Sequence, residues 1–308
     1  MATQIKHWVL AARPRTLPAA AAPVIAASAW AAHAESFQWL PALLCLLFAF
    51  AVQILANYAN DYYDFLKGAD TPDRMGPARA VASGWIRPES MKRAVFVNAA
   101  VAFGLGLGLL AFGDWWFLLV GVLCLLCAVA YTGGPFPLAY LGMGDVFVML
   151  FFGWVATSLT YYVQVGHFLV PLPAAGEGLE AAVIWITGTV IGGLAVLLLA
   201  INNYRDVETD RKAGKGTLAV RLGKNFVLWE CRFFLLLAMV FPFGLAAWMD
   251  SLLPLLLLSL APPAARIAWG LPNARSREDF SSQLATAGGL LARYGLFLAV
   301  VVLLKDAF

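Results

Sequence analysis

The sequence predicts an all-α, polytopic membrane protein with about nine transmembrane helices. Three observations carry that expectation. Of the 308 residues, 62% are hydrophobic and 13% are charged, with a mean hydropathy of +0.78. A soluble domain carries about 25% charged residues, so a soluble globular protein lacks the polar surface it needs. Nine apolar stretches approach or reach the ~17–25 residues that cross ~30 Å of hydrocarbon. The basic residues, finally, crowd into alternate connections. Disorder is excluded, because disordered chains combine low hydrophobicity with high charge. A net charge of +3 gives no sign of a nucleic-acid partner. The chain reads as a single membrane domain over 1–308, with the lipid bilayer as its first partner.

The stretches follow one another in order. The first, 16–33, comes after a basic segment with no apolar run ahead of it, so no cleavable signal is expected. The second, 38–60, runs into an acidic cluster. The third and fourth, 94–113 and 115–132, meet at Gly113-Asp114, a tight turn between antiparallel neighbours. The fifth, 141–163, starts beside Gly142-Met-Gly144-Asp145. A long connection at 164–180 without Lys or Arg separates it from the sixth, 181–203, which runs into a second acidic cluster. The seventh and eighth, 226–248 and 251–270, meet at Asp250-Ser251, and 288–304 is the ninth.

When these spans alternate sides, every Lys and Arg except Lys305 falls with the N-terminus and the connections at 61–93, 133–140, 204–225 and 271–287, with their flanks. The positive-inside rule places that side in the cytoplasm. Cys45, Cys124, Cys127 and Cys231 all lie in apolar stretches and read as small apolar residues. The Cys124/Cys127 pair has no second pair to complete a zinc site. His7, His33 and His167 show no metal-site spacing.

Two places depart from this apolar pattern. One is Asn57-Tyr-Ala-Asn60-Asp61-Tyr-Tyr-Asp64-Phe-Leu-Lys67-Gly68-Ala-Asp70-Thr-Pro-Asp73-Arg74. The other is Asn202-Asn203-Tyr-Arg205-Asp206-Val-Glu208-Thr-Asp210-Arg211-Lys212-Ala-Gly214-Lys215. Carboxylates at a membrane edge are costly and mark functional sites. On a helix, Asn57, Asp61 and Asp64 fall within about 60° of one another, as do Asn203, Asp206 and Asp210. Each cluster therefore aims an amide and two carboxylates one way. Oxygen donors of this kind suit Mg²⁺, which takes one or two carboxylates and completes its shell with substrate phosphates and water. Two facing half-sites would hold a diphosphate through bridging metal ions. Arg74, Arg79, Lys212, Lys215 and Arg221 follow the clusters, and phosphate oxygens need such cations. Each cluster is also followed by Asp-Arg, Gly and Ala-Val, which suggests a duplicated unit over 10–140 and 141–290.

These motifs resemble those of the UbiA superfamily of intramembrane polyprenyl (aromatic) transferases, whose first motif is Asn-Asp-x-x-Asp-x-x-x-Asp and second Asp-x-x-x-Asp. The second is intact as Asp206–Asp210. In the first, the third Asp is replaced by Gly68, leaving Asp70 or Asp73 as the alternative further metal ligand. The run Gly68-x-Asp70-x-Pro-Asp73-Arg74-x-Gly76-Pro-x-Arg79 is similar to the 1,4-dihydroxy-2-naphthoate polyprenyltransferase branch, which serves menaquinone biosynthesis. So are Asn202–Asp206, Ala213–Gly223, Ala12-Arg13-Pro-Arg15-Thr-Leu-Pro18 and Tyr131-Thr132.

The resemblance implies nine helices around a central cavity capped by cytoplasmic loops, in the cytoplasmic (inner) membrane of a bacterium. It implies a polyprenyl diphosphate and 1,4-dihydroxy-2-naphthoate as substrates, with Mg²⁺ held by Asp61, Asp64, Asp206 and Asp210. Asn57, Asn60, Asn203, Arg74, Arg79, Lys212, Lys215 and Arg221 would serve the diphosphate. Ionisation of the C–O bond gives an allylic cation, which aromatic faces stabilise. Tyr58, Tyr62, Tyr63, Tyr131 and Tyr204 lie near the motifs, and Tyr131 closes the fourth span on the same side. The acceptor ring then attacks through the carbon bearing its carboxylate, with loss of CO₂. Arg13 or Arg15 is expected to meet that carboxylate, and Asp145 to orient or deprotonate an acceptor hydroxyl. The prenyl tail is expected along a groove open to lipid. The glycines 104, 106, 108, 188, 192 and 193 serve as groove walls or as plain helix packing. The alternatives are another aromatic acceptor, of 4-hydroxybenzoate or homogentisate type, and a secondary transporter. A transporter keeps its acids near the midplane, whereas here they gather at one face.

Overall fold

The structure, a computed structural model, describes residues 2–69, 75–166 and 178–305. Asp70, Asp73 and Arg74 lie outside the described residues. In chain order the helices are α1 (Ala2–Ala12), α2 (Leu17–His33), α3 (Trp39–Leu66), α4 (Pro88–Leu109), α5 (Trp116–Ala130), α6 (Gly144–Val165), α7 (Gly178–Lys212), the short α8 (Leu218–Leu222), α9 (Lys224–Met249), α10 (Leu253–Asn273) and α11 (Arg277–Leu303). No strand occurs among the described residues. Each of the nine predicted stretches is found in one helix. Seven of these are long and apolar enough to cross a membrane; α2 and α5, with 17 and 15 residues, are shorter.

Several boundaries differ from expectation. The last connection of the sequence reading, 271–287, is mostly helix, because α11 starts at Arg277 and not near 288. Its start is fixed by a capping box in which Ser276 Oγ accepts from Asp279 N and Asp279 accepts from Ser276 N. The first turns of α11 are polar, so an apolar-run criterion misses them. The helices α3 and α7 likewise run past their apolar stretches, to Leu66 and Lys212, and carry the acidic clusters on regular helix.

Both of these helices end in the same way. Gly68 has φ +65° and Gly214 φ +71°, each four residues after the last Asp of its motif. Ala69 N donates to the Asp64 carbonyl at 2.9 Å, and Lys215 N donates to the Asp210 carbonyl at 2.8 Å. This is a left-handed glycine cap that satisfies the last carbonyls of the helix. Glycine at 68 therefore serves chain reversal, where an Asp would be strained.

The helix α7 is the axis of the molecule. It packs against α2, the middle of α6, α9 and α11. Its approach to α6 is backbone to backbone: a Cβ at Gly192 would lie 2.7 Å from Gly153 Cα, and one at Gly153 would lie 2.7 Å from the Gly188 carbonyl. Around Gly153 the α6 helix opens into a π-helix, Met149–Val155. Gly188 and Gly192 thus serve packing, whereas Gly106 borders a cavity and seats the Phe48 ring. The helix α3 packs on α2, α4, α5 and the end of α6, and α5 packs on α3 and α4. Between α2, α3, α5, α6 and α7 lies an internal cavity.

Candidate active site

The cavity has two chambers. The polar one is lined by Asp61, Asp64, Arg79, Asp206, Asp210 and Lys215, at the end of the bundle where both acidic clusters lie. The apolar one is lined by Val52, Phe117, Cys124, Phe147, Phe151 and Leu159, among others. Arg13, Asn60, Tyr131, Leu198, Leu199 and Asn202 line both. A substrate with a charged head and an apolar tail fits across that junction.

Asp64 is the centre of the polar chamber. It is 1% exposed. Its Oδ2 accepts from Lys215 Nζ at 2.8 Å and from Asn60 Nδ2 at 3.0 Å, with Arg79 Nη2 at 3.9 Å; its Oδ1 accepts from Tyr140 Oη at 3.4 Å. The second motif has its own cation. Arg205 donates to Asp206 through Nε at 2.7 Å and Nη2 at 2.6 Å, and both residues are buried. Sequence reasoning did not single out Arg205, although its place beside Asp206 was in view.

Asp61 has other employment. Its Oδ2 accepts from Ala80 N at 3.0 Å and its Oδ1 from Val81 N at 3.1 Å. Both oxygens anchor the returning loop that carries Arg79 to Asp64. Asn57 also points away from the acids. Its Nδ2 donates to the Ala12 carbonyl at 2.9 Å and to Thr16 Oγ1 at 3.2 Å. Thr16 Oγ1 accepts from Gln53 Nε2 and donates to the Arg13 carbonyl. This network holds Arg13, whose φ of 53° is left-handed for a residue with a side chain, a strain of about 1–2 kcal/mol. Arg13 Nη2 then donates to Asn60 Oδ1 at 2.5 Å. So Asn57, Asp61 and Asp64 do not converge on one point; the convergent residues are Asn60 and Asp64.

The remaining predicted residues divide clearly. Asn203, Arg79 and Lys215 line the polar chamber. Arg15 is at its rim, donating to Ser281 Oγ at 2.8 Å, with Arg277 also on the lining. Lys212 is exposed and borders neither chamber. Arg221 is exposed, and its Nε donates to the Gly216 carbonyl at 2.7 Å, bracing the loop that carries Lys215. Of the five tyrosines, only Tyr131 lines the cavity. Tyr58 packs on Trp8, Tyr62 on Tyr63, and Tyr204 on Phe280.

Tyr131 is partly exposed to the cavity and lines both chambers, so its ring offers a π-face at their junction. Its neighbour must be glycine: a Cβ at Gly144 would lie 2.9 Å from Tyr131 Oη and 3.0 Å from Leu199 Cδ2. Gly144→Ala is expected to displace the ring and lower kcat about ten- to a hundred-fold with the fold kept. Turnover and thermal unfolding measured on the same preparation check this. Asp145, the next residue, lines the polar chamber, and its Oδ1 is buried with no hydrogen-bond partner.

The loop between α5 and α6 joins the two motifs. The Tyr140 ring lies between Lys67 Nζ, 4.4 Å from its centroid, and Lys215 Nζ, at 5.2 Å. Its carbonyl accepts from Gly216 N at 3.0 Å. Lys67 Nζ donates to the Thr132 carbonyl at 2.6 Å. Burial pulls the Lys67 ammonium below its ordinary value, Asp64 opposes that pull, and Lys215 adds to it.

The donor chemistry fits a hard cation. Asn60, Asp64, Asp206 and Asp210 present oxygen on the polar chamber, and Lys215, Arg79 and Arg205 now balance the carboxylates. Among the described residues no group of three or more His, Cys, Asp or Glu is placed to hold a metal ion by itself.

Comparison with known proteins agrees with this geometry. The UbiA prenyltransferase family matches residues 20–301. The chain is 40% identical over 231 residues to 1,4-dihydroxy-2-naphthoate octaprenyltransferase of Escherichia coli, covering 72% of this chain and 70% of that one. It is 42% identical over 217 residues to the enzyme of that name from Mycobacterium tuberculosis, covering 70% of each. Among solved structures, the apo UbiA homolog from Aeropyrum pernix superposes with TM-score 0.64 at 17% identity, over 90% of this chain and 96% of that one. The Archaeoglobus fulgidus homolog bound to GPP and Mg²⁺ superposes with TM-score 0.57 at 14% identity, over 96% and 99%. The chain therefore belongs to the UbiA prenyltransferase family.

Proposed function

We propose that this protein transfers a polyprenyl group from polyprenyl diphosphate to 1,4-dihydroxy-2-naphthoate, releasing diphosphate and CO₂. The observation that carries this is the junction at Tyr131. There a chamber lined by two facing acidic motifs meets a chamber lined by apolar side chains. The relatives named for this reaction supply the acceptor.

In this reading Asn60, Asp64, Asp206 and Asp210 would hold Mg²⁺, which would supply charge neutralisation for the diphosphate leaving group. Lys215 and Arg79, now on Asp64, bind the phosphate oxygens. Asp61 keeps the Arg79 loop in place. Tyr131 faces the allylic carbon at the junction and stabilises positive charge without capturing it. Arg13, at the same junction, receives the acceptor carboxylate, with Arg15 on the approach to it. Asp145 accepts the acceptor hydroxyl proton, which sends electron density to the carbon bearing the carboxylate. That carbon bonds to the prenyl carbon. The C–CO₂ bond electrons then return to the ring oxygen, and Asp145 gives the proton back. The basic face of the bundle, which holds this chamber, lies in the cytoplasm, and the membrane is the inner membrane of a bacterium.

The test offers purified protein a polyprenyl diphosphate with 1,4-dihydroxy-2-naphthoate or 4-hydroxybenzoate, with Mg²⁺ or with EDTA. Prenylated, decarboxylated naphthoquinol with Mg²⁺ only is the expected product. Prenylation of 4-hydroxybenzoate alone overturns the acceptor, and turnover in EDTA overturns the role of the carboxylates.

A further inference from the structure

Two carboxylates from different helices meet at the edge of the polar chamber. Asp145 stands in the first turn of α6, and Glu230 is the only acidic residue of α9. Helix packing brings them to one level. Met149 of α6 and Phe234 of α9 press on consecutive glycines of α7: a Cβ at Gly192 would lie 2.8 Å from Met149 Sδ, and one at Gly193 would collide with the Phe234 ring. Asp145 and Glu230 each precede those contacts by four residues. They therefore lie one turn on, on the faces of α6 and α9 that look at α7. There α7 offers only apolar side chains, from Leu194 to Leu199. The charge of Asp145 reaches both Glu230 and its neighbour Cys231.

Both carboxylates are left short of partners. Asp145 Oδ1 and Glu230 Oε2 are buried, and neither accepts a hydrogen bond. The elements packed on α9 supply no cation for Glu230: Arg221 of α8 is held on the Gly216 carbonyl, and Arg266 of α10 is exposed. Arg232, two residues on, projects from another side of α9. Two ionised carboxylates here would each carry a desolvation cost and would repel each other. One proton between them removes both problems, because it makes one oxygen a donor to the other and leaves a single charge on the pair. What each residue borders decides which one holds it. Asp145 lines the polar chamber together with Arg13, Arg79 and Lys215, whereas Glu230 borders neither chamber. Tyr131, beside Asp145, is also reached by the charges of Arg13, Asp64 and Asp210. The negative charge belongs on the chamber side and the proton on Glu230.

We propose that Glu230 is the positioning residue of the reaction's base: it keeps one proton, donates it as a hydrogen bond to Asp145 Oδ1, and so presents Asp145 to the acceptor as an oriented anion. This rests on the acceptor chemistry proposed above, in which Asp145 takes the hydroxyl proton and returns it. The proton of Glu230 stays on Glu230 throughout. The O–H bond that breaks and re-forms is the acceptor's, and the one that forms and breaks in step with it is on Asp145.

The experiment compares the full-length wild type with Glu230→Gln, which keeps an N–H donor for Oδ1, and Glu230→Leu, which keeps the bulk and no donor. The infrared difference between wild type and Glu230→Gln at pH 7 is expected to contain the carbonyl stretch of a protonated carboxyl group. Absence of that band overturns the proposal without reference to turnover. With prenyl diphosphate, 1,4-dihydroxy-2-naphthoate and Mg²⁺, Glu230→Leu is expected to lose at least tenfold in kcat at neutral pH. The acid limb of its kcat profile is expected to move up by about one pH unit, because a hydrogen bond to the anion favours the anion. Glu230→Gln is expected to restore kcat to within about threefold of wild type and the limb to its place. KM for the prenyl diphosphate is expected to stay at the wild-type value in both, and the unfolding temperature not to fall. A Glu230→Leu protein with the wild-type profile, or a Glu230→Gln protein as impaired as Glu230→Leu, overturns the proposal and leaves the functional reading standing. A wild-type protein that prenylates no naphthoate overturns the functional reading, and the infrared band then still decides whether the pair shares a proton.

Discussion

Asp64→Asn is expected to lower turnover by about a thousand-fold or more while the protein still folds. Asp64 is the carboxylate on which both halves of the site converge, taking Lys215 from the second motif, Arg79 from the returning loop and Asn60 from its own helix. The amide keeps the shape and can still accept from Lys215, but the negative charge is lost. Metal affinity falls, and Lys215 and Arg79 face each other without an anion between them. Losing one preorganised electrostatic contact to a developing charge costs about 10²–10³ in kcat, and here a metal ligand is lost as well. The stability effect is smaller, because the chamber admits water and the two cations can swing into it. Adding Lys215→Met to Asp64→Asn should restore the unfolding temperature and leave activity absent. That pair of results separates the charge balance of the empty site from its chemistry. Wild-type turnover in Asp64→Asn removes the site described above.

Asp61 makes the contrast. Asp61→Ala leaves Asn60 and Asp64 in place but frees the Ala80 and Val81 amides. The expected result is a several-fold higher KM for the diphosphate substrate, through a displaced Arg79, with a smaller loss in kcat than for Asp64→Asn. Steady-state kinetics on both variants decide between a loop anchor and a metal ligand at position 61.

What the sequence made legible, and what it hid, divides along the range of the interaction concerned. The nine apolar stretches are a local property of composition, and all of them are helical. The two acidic motifs were legible as well, because helical spacing fixes which residues share a side. The expected partnership of Asn57 with Asp61 and Asp64 was not met, because spacing leaves undecided what a side chain meets. Asp61 is taken by amides of a loop 19 and 20 residues further on, and Asn57 by the turn after α1. Gly68 stood out as a departure from the family pattern. Its left-handed φ, matched by Gly214 after the second motif, gives the departure a cause that single-residue comparison does not show. Tyr140 was invisible for a related reason. Its role comes from a loop laid across both motifs, where its ring, hydroxyl and carbonyl serve four partners, Lys67, Lys215, Asp64 and Gly216.

The second large effect belongs to Asp206, and it falls on stability as well as on activity. Arg205 and Asp206 form a two-point, buried ion pair, with side chains 2% and 10% exposed. Such a pair adds little over a well-packed apolar replacement, but removing one partner leaves a buried charge and costs about 3–5 kcal/mol. Asp206→Asn is therefore expected to lower the unfolding temperature by several degrees and to abolish turnover. Asp210→Asn, partly exposed and on the same side of α7, should abolish turnover with little loss of stability. Arg205→Met together with Asp206→Asn should recover the stability and not the activity. The outcome bears on how the site is loaded. While Arg205 neutralises Asp206, a divalent ion arriving alone must compete with a guanidinium held by two hydrogen bonds, and its affinity is low. A diphosphate arriving with the ion gives Arg205 another acceptor and releases Asp206 to the metal. Metal and diphosphate must then strengthen each other's binding by the same factor. Titration calorimetry with Mg²⁺ alone, inorganic diphosphate alone and the two together measures that factor. In Arg205→Met the competition is gone, so Mg²⁺ alone should bind more tightly and the coupling should shrink. Equal coupling in wild type and Arg205→Met would show that the pair is a structural strut with no part in loading.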